Sequence, residues 1–555
     1  MDRALLLFAL LPGLHAQVSL TPSIPSPARV GQIVTWTAQP SDPSLRYRFR
    51  VRRAGEDFRT VIDYGPNNFF DWTSTDHEGF FEIEVSVRGI GVTKVRYEMT
   101  SNITGSAPVV NATSHPLVFL YSAPACESES RMRVRIETAG EPPQFTPWKK
   151  CAAGLSMNFY LAGLHPQTRY TATHIVDTGT VFQEGPAIPF TSGKETILPA
   201  SQTLLRGGQG SGLLLQSDIV KNVIATDLRG NLLWYYAKPV MLMTQPQDGG
   251  TFWAIAPNQT LREFDLAGMT VTETNVARVN EQLAAIKKPA IAGFHHEASR
   301  LPDGKILVLG TLERILSDTQ GPGPDDIIGD MVIVMDRNLQ VVWTWDTFQF
   351  LDVKRKATLG ETCVSCATLA KSANDWTHVN SAEQAPDGNL LISARNQDFV
   401  YKVAYENGEG DGHVIWKLGK GGDFQLDVTD PNAWFSHQHD ARYSYDGQEI
   451  TLFDDGNLRQ AADPKAHSRG QSLRIDETNM TAQLLLSADL GVFSSALGSA
   501  QKLPDGHYVF LSGFLPGNKS LITEVDSSGT ITYAMQTGAQ QYRVFWMRDL
   551  HTANF

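Results

Sequence analysis

Three short stretches of this chain hold side chains that titrate or attack near neutral pH: His295-His296, His378-Val379-Asn380 and His437-Gln438-His439. A neutral imidazole can act as nucleophile or general base there. Arg395 lies downstream of the second stretch and Asp454 downstream of the third. A guanidinium offers a planar fork of donors that fits sulfate or phosphate. Histidines with an arginine, and no carboxylate cage, suit an oxyanion. A nucleophilic histidine also needs a partner for its second ring nitrogen, and Asp454 is the candidate. The competing chemistry is zinc on His437, His439 and His296. Arg395 would repel a dication, so neither metal nor organic cofactor is expected.

The elements that would position these residues repeat. A hairpin with a Pro-Asp-Gly turn occurs at Leu301–Val308, Ala385–Ile392 and Leu503–Phe510, with variants at Tyr445-Asp446-Gly447 and Gln247-Asp248-Gly249. A second unit, V-x-D-x-x-G-x-x-x-W, occurs at 224–234 and, in related form, at 334–343, with weaker copies elsewhere. Two hairpins every 40 to 60 residues make a four-stranded propeller blade. Six blades are expected, at about 203–238, 240–276, 295–347, 377–418, 437–488 and 498–538, with Tyr542–Trp546 returning to close the ring on the first.

Alignment on the turn proline (Tyr445 in the fifth unit) brings the candidate residues into register. Six positions upstream stand His296, Asn380, His439 and Gly498; eight upstream stand Phe294, His378, His437 and Ala496. A spacing of two puts both slots on one strand face. Nine positions downstream stand Thr311, Arg395, Asp454 and Gly513. Arg395 is thus expected beside His378 and Asn380, and Asp454 beside His437 and His439. The small residues of the sixth unit are expected to leave room. A lone strand histidine is usually structural, and the chain has 14. Four histidines in eight aligned slots favour a site.

The remaining sequence narrows the class. At 555 residues the chain is too long for one core. Its 46 Gly and 29 Pro suit many short strands. A net charge of −12 without a basic run argues against nucleic acid as a partner. Residues 1–16 read as a signal peptide cleaved after Ala16, so the protein is expected to be exported, periplasmic or secreted. No later run reaches the ~20 apolar residues of a membrane span. Residues 17–105 and 106–193 read as two β-sandwiches. In the second, Leu161–Tyr170 resembles the tyrosine corner of fibronectin type III domains. Cys126 with Cys151, and Cys363 with Cys366, are expected to form disulfides. The glycine-rich 206–212 segment lacks the Gly-Lys-Ser/Thr ending of a phosphate loop.

The run His378-Val-Asn380 … Pro386-Asp-Gly-Asn-Leu-Leu … Arg395, followed by Gln438-His439, resembles the bacterial arylsulfate sulfotransferase family over about residues 200–555. The resemblance implies transfer of a sulfuryl group from an aryl sulfate to a phenol through a sulfated channel histidine, without a nucleotide sulfate donor. It implies His439 as nucleophile, with His296, His378, Asn380 and Arg395 around the sulfuryl oxygens and the phenol oxygen. His437 and His295 join as substrate-binding candidates. The residues alone leave His437 or His439 open; the Gln-His match favours His439. Two N-terminal β-domains, where the family commonly has one, and a shifted cysteine pair depart from the family pattern. These departures allow a substrate choice and a quaternary state, a homodimer included, of the chain's own. The alternatives are a sulfate-ester hydrolase on the same histidine and a non-catalytic propeller that binds glycans or partner proteins. None of the four cysteines has the C/S-x-P-x-R setting of formylglycine sulfatases.

Overall fold

The computed structural model describes residues 17–219 and 222–553. The expected signal peptide, residues 1–16, lies outside them. The described chain is all-β, and none of its helices is long and apolar enough to cross a membrane.

From Leu213 onward, six successive antiparallel sheets carry four principal strands each. Sheet I comprises Gln541–Met547, Leu213–Asp218, Val223–Asp227 and Leu232–Tyr235. Sheet II is Leu242–Gln247, Thr251–Ala256, Thr260–Asp265 and Thr270–Asn275. Sheet III is Phe294–Arg300, Ile306–Ser317, Pro324–Met335 and Val341–Asp346. Sheet IV is Val379–Gln384, Leu390–Ala394, Phe399–Val403 and Val414–Leu418. Sheet V is His439–Tyr443, Ile450–Asp454, Arg469–Asp476 and Thr481–Asp489. Sheet VI is Gly498–Lys502, Tyr508–Leu515, Lys519–Val525 and Ile531–Thr537.

The returning strand pairs as expected, with Leu213 opposite Met547 and Leu215 opposite Phe545. The opening strand does not stay with the unit it precedes. Gln202–Arg206 pairs with Ile531–Thr537, on the edge of sheet VI. The segments that open and close this run of sheets therefore seal the same junction, each covering an edge that would otherwise be unpaired.

Local chemistry explains the hairpins. In sheets III to VI the turn aspartate accepts from the backbone N–H two residues on: Asp303 from Lys305, Asp387 from Asn389, Asp446 from Gln448 and Asp505 from His507. The following glycine takes positive φ, for example +88° at Gly388. The outer hairpins use the same device, as Asp336 accepts from Asn338 and Gln340.

Runs such as Leu390–Ala394 are buried throughout, because both faces of each sheet pack on neighbours. Continuous apolar clusters join sheet I to II, II to III, III to IV, IV to V, V to VI and VI to I. Tryptophans tether some of these joints. Trp234 Nε1 donates to Leu266 O and Trp343 Nε1 to Gly410 O. Polar bonds at or beside the first strands also run sheet to sheet: Met243 N to Ser217 Oγ, Thr244 Oγ1 to Ala298 O, Val379 N to Asp330 Oδ2, Ser381 Oγ to Ala441 O, Ala500 N to Asp440 Oδ2, and Ser499 Oγ to Val544 O.

Ahead of these sheets, Ser19–Pro22, Val34–Gln39 and Phe69–Trp72 form one sheet, which shares a core with the strands from Tyr47 to Thr100. Residues 109–191 form two further sheets on a core that includes Cys151 and Tyr170. The Tyr170 hydroxyl accepts from His165 N–H at 2.8 Å. Disulfides join Cys126 to Cys151 and Cys363 to Cys366. Strand Arg59–Gly65 pairs with Thr270–Asn275, which docks the N-terminal part on sheet II.

Candidate active site

The first strands of sheets III, IV and V are bulged where the histidines lie. Register is interrupted between His295 and Ala298, between Val379 and Ser381, and between His439 and Arg442. His296, His378, His437 and Asp440 have φ of +51°, +49°, +56° and +52°. Side-chain-bearing residues rarely adopt that conformation, and it clusters where a site demands it. The bulges break the two-residue alternation on which the aligned slots rested.

His439 is buried. Its Nδ1 lies 2.9 Å from Asp455 Oδ1, and its Nε2 accepts the Leu497 backbone N–H at 3.2 Å. An acceptor at Nε2 places the proton on Nδ1, so the Asp455 bond and the Leu497 bond select one tautomer. Burial, with Arg395 and His378 adding repulsion, pushes His439 well below the ordinary imidazole value. The ring is neutral at neutral pH and carries its lone pair on Nε2.

Arg395 N donates to His378 O, which sets these two residues side by side as expected. The guanidinium donates Nη1 to Asn396 Oδ1 at 2.6 Å and Nη2 to Ser495 O at 2.9 Å. Its Nε is buried without a hydrogen-bond partner among the described residues, 3.7 Å from Asp455 Oδ2. Each terminal nitrogen of the fork carries a second hydrogen beyond these bonds. His378 is half-buried; Asp375 Oδ2 lies 2.7 Å from its Nδ1. Burial would raise Asp375, but His378 and Arg395 hold it below the ordinary carboxylate value. His296 meets the His378 ring edge to face, with centroids 4.9 Å apart. Burial and the surrounding histidines push His296 well down. Asn380 donates Nδ2 to Gln438 O at 2.7 Å, and its buried Oδ1 has no partner among the described residues.

Three candidates sit elsewhere than expected. Asp454 does not meet the histidines. It accepts from Ser436 N and pairs with Arg459 and Arg469. The carboxylate on His439 is the next residue, Asp455, because the strand ends there and the register shifts by one. His437 does not bind at the same face as His439. It is fully buried and held between Glu361 and Asp398. Burial favours its neutral form, yet these carboxylates raise it to about 8. His295 backs His296 instead of facing open space: its Nδ1 lies 2.9 Å from His296 Nδ1, and its Nε2 3.1 Å from Asp330. With His437 turned away, the His437–His439–His296 zinc set does not converge.

The sixth sheet does not simply leave room. A Cβ on Gly498 would come within 2.4 Å of the Phe453 ring, and one on Gly513 within 2.3 Å of Gln541 O. These glycines allow close packing, and Leu497 supplies the N–H on His439.

A family model described as arylsulfotransferase (ASST) matches residues 174–546, which span all six sheets. The chain belongs to the arylsulfotransferase family. Among curated proteins, this arylsulfotransferase-family chain is 23% identical over 383 residues to the arylsulfate sulfotransferase AssT of Escherichia coli O6:H1. That match covers 56% of the chain and 59% of the relative, so the chain spans little more than half of AssT's length. Among solved structures, a DUF4784 family protein from Bacteroides caccae is 10% identical, with 78% of this chain and 95% of that one covered at a TM-score of 0.28. The FN1–FN3 domains of chicken CNTN1 are 15% identical, covering 31% and 68% at a TM-score of 0.14.

Several neighbours of the candidate histidines in this family member had no signal in the aligned slots. Glu361 and Asp398 come from a loop and a turn, Asp375 from a short strand, Ala373–Asp375, on the edge of sheet III, and Asp330 from the third strand of that sheet. Of these neighbours only Asp455 is one residue from an aligned slot, that of Asp454. A run of two aspartates at a strand end is a hint that register can slip.

Proposed function

We propose that the protein transfers a sulfuryl group from an aryl sulfate ester to a phenolic acceptor by a ping-pong reaction on His439. The observation that carries this reading is the His439 ring itself: neutral, held by Asp455 at Nδ1 and by the Leu497 N–H at Nε2, and within the field of Arg395 and His378. In the first step Nε2 attacks sulfur in line. The N–S bond forms as the S–O(aryl) bond breaks, and the sulfuryl group displaces the long Leu497 contact. Arg395, through the Nη hydrogens not used on Asn396 and Ser495, and Asn380, through the second hydrogen of Nδ2, donate to the sulfuryl oxygens, where fixed donors stabilise developing charge. Protonated His378, held by Asp375, gives its proton to the departing phenolate. In the second step neutral His378 takes the proton of the acceptor phenol. The phenol oxygen attacks sulfur, and the electron pair of the N–S bond returns to Nε2. His296 packs on His378 and limits its rotation.

On this reading the six sheets are the blades of a six-bladed β-propeller spanning residues 200–555. The two preceding units, 17–105 and 106–193, are β-sandwiches, the second fibronectin III-like. Two disulfides fit export to an oxidising compartment.

The test is turnover of a chromogenic aryl sulfate with and without added phenol. Wild type is expected to release the aryl alcohol faster when phenol is added, and His439→Ala to lose at least about 1,000-fold in kcat. Radiolabelled sulfate is expected to remain on wild-type protein quenched without acceptor. Full activity in His439→Ala, with no label trapped, would refute the mechanism. Release unaffected by phenol would favour hydrolysis on the same histidine.

A further inference from the structure

The strand that closes sheet I, Gln541–Met547, places two buried side chains among the histidine-bearing strands. Arg543 reaches four other sheets: Nη1 donates to Thr244 O at 3.0 Å, Nη2 donates to Asn380 O at 2.9 Å and lies 3.0 Å from Glu297 Oε2, and Nε lies 3.1 Å from Asp440 Oδ1. The Tyr542 hydroxyl donates to His296 O at 2.5 Å and to Asn380 O at 3.4 Å. Two residues in the strained positive-φ conformation, His296 and Asp440, are therefore gripped by this pair, one through its carbonyl and one through its carboxylate. Asp440 directly follows His439 in sequence, and Asn380 lies two residues after His378. Apart from Thr244, each gripped group is thus within two residues of a histidine that the proposed reaction uses, or is that histidine.

We propose that Tyr542 and Arg543 are positioning residues for sulfuryl transfer, holding the bulged strands of sheets III, IV and V so that His296, His378 and His439 converge. This rests on the reaction proposed above and extends it to residues that do not touch substrate. Bulged strands held only by their own ladder would relax toward regular alternation, which would separate the three rings. A guanidinium satisfies several carbonyls and carboxylates at once because its donors lie in one rigid plane. Lysine keeps the charge but not the fork. Arg543 also acts through its field. It faces His439 together with Asp455, Arg395, His378 and Asp440, and faces His296 together with His295, His378 and His439. Its charge favours the neutral form of both rings. Arg442 lies beyond, paired with Asp440, Glu297 and Glu383, so the carboxylates keep one partner when Arg543 is replaced.

The test compares Arg543→Gln, Arg543→Lys and Tyr542→Phe in the full chain, with thermal unfolding as a check on folding. Arg543→Gln is expected to lower kcat about 10- to 100-fold with KM within about threefold, the pattern of misplaced reacting groups. The acid limb of its kcat/KM profile is expected to move to higher pH, since a cation that favoured neutral His439 is gone. Arg543→Lys is expected to restore the limb but not kcat. Tyr542→Phe, which removes no charge, is expected to lower kcat about 3- to 10-fold without moving the limb. Nitrogen-15 histidine NMR of the same proteins reads the ring titrations without turnover. Folded Arg543→Gln with wild-type kcat and unchanged histidine titration overturns the proposal. If that variant does not fold, wild-type kcat in both Arg543→Lys and Tyr542→Phe overturns it. Inactive wild type, or active His439→Ala, would instead be a failure of the reaction proposed above.

Discussion

Asp454 and Asp455 are adjacent, fully buried and opposite in role. Asp455 faces His439 Nδ1, while Asp454 neutralises Arg459 and Arg469. Their amide variants separate chemistry from stability. Asp455→Asn keeps the shape but presents either an amide N–H or a weaker acceptor to Nδ1. It is expected to lower kcat by about 100- to 10,000-fold, because the tautomer with a free Nε2 loses its partner. Asp454→Asn leaves two part-buried arginines short of a carboxylate. It is expected to cost about 2–4 kcal/mol in denaturant unfolding while a folded fraction retains its kcat. If the two variants exchanged these phenotypes, the assignment of Asp455 to His439 would be wrong. A pH profile probes the same residue. Since burial pushes His439 well down, the acid limb of wild-type kcat/KM is expected below the ordinary imidazole value.

At the scale of elements, His437 links three pieces of chain. It belongs to the approach to sheet V, and it holds Glu361 of the long loop after sheet III and Asp398 of the turn in sheet IV. The same connection ends in the short strand Ala373–Asp375, which carries Asp375, the partner of His378. The ordinary value of the ring is 6.5 and the folded protein raises it to about 8. A raised value means that the protonated ring stabilises the fold. The contribution is fully present below about 6.5 and is lost as pH rises through about 8, amounting to about 2 kcal/mol at most. Urea midpoints of wild type and His437→Gln are expected to converge between those two pH values. A constant difference across them would show that His437 is neutral in the fold. Gly498 makes a second element-scale case. Alanine there drives a Cβ to 2.4 Å from the Phe453 ring, at the joint of sheets V and VI. Melting curves of Gly498→Ala are expected to show a loss of about 1–3 kcal/mol.

At the scale of the molecule, the ring is sealed by pairing between distant parts of the chain. Gln541–Met547 is the first strand of sheet I, and Gln202–Arg206 completes sheet VI. Removing residues from Gln541 onward would leave Leu213–Asp218 an open edge and remove Tyr542 and Arg543 from beneath the histidines. Such a truncation is expected to lose cooperative unfolding and to aggregate. A truncated chain that melted as sharply as wild type would argue against closure at this junction.

What could be read from sequence follows from locality. The Pro-Asp-Gly turns are short-range backbone chemistry, so hairpin number, spacing and the strands they join were legible. So was the pairing of Arg395 with His378, because counting across one hairpin needs no other information. The all-β class and the family resemblance belong with these, since both rest on many repeated or motif residues. The tertiary structure decided where bulges fall. A bulge forms when neighbouring strands reward a strained backbone, and no local pattern announces it. A positive φ at His437, ahead of the strand, goes with its turn away from His439, and a one-residue register shift just after His439 goes with Asp455, not Asp454, meeting that ring. Carboxylates from remote loops, and Tyr542 and Arg543 from the far end of the chain, reach the histidines only once the sheets assemble. The sequence thus determined which side chains could do the chemistry, and long-range packing decided which of them face one another.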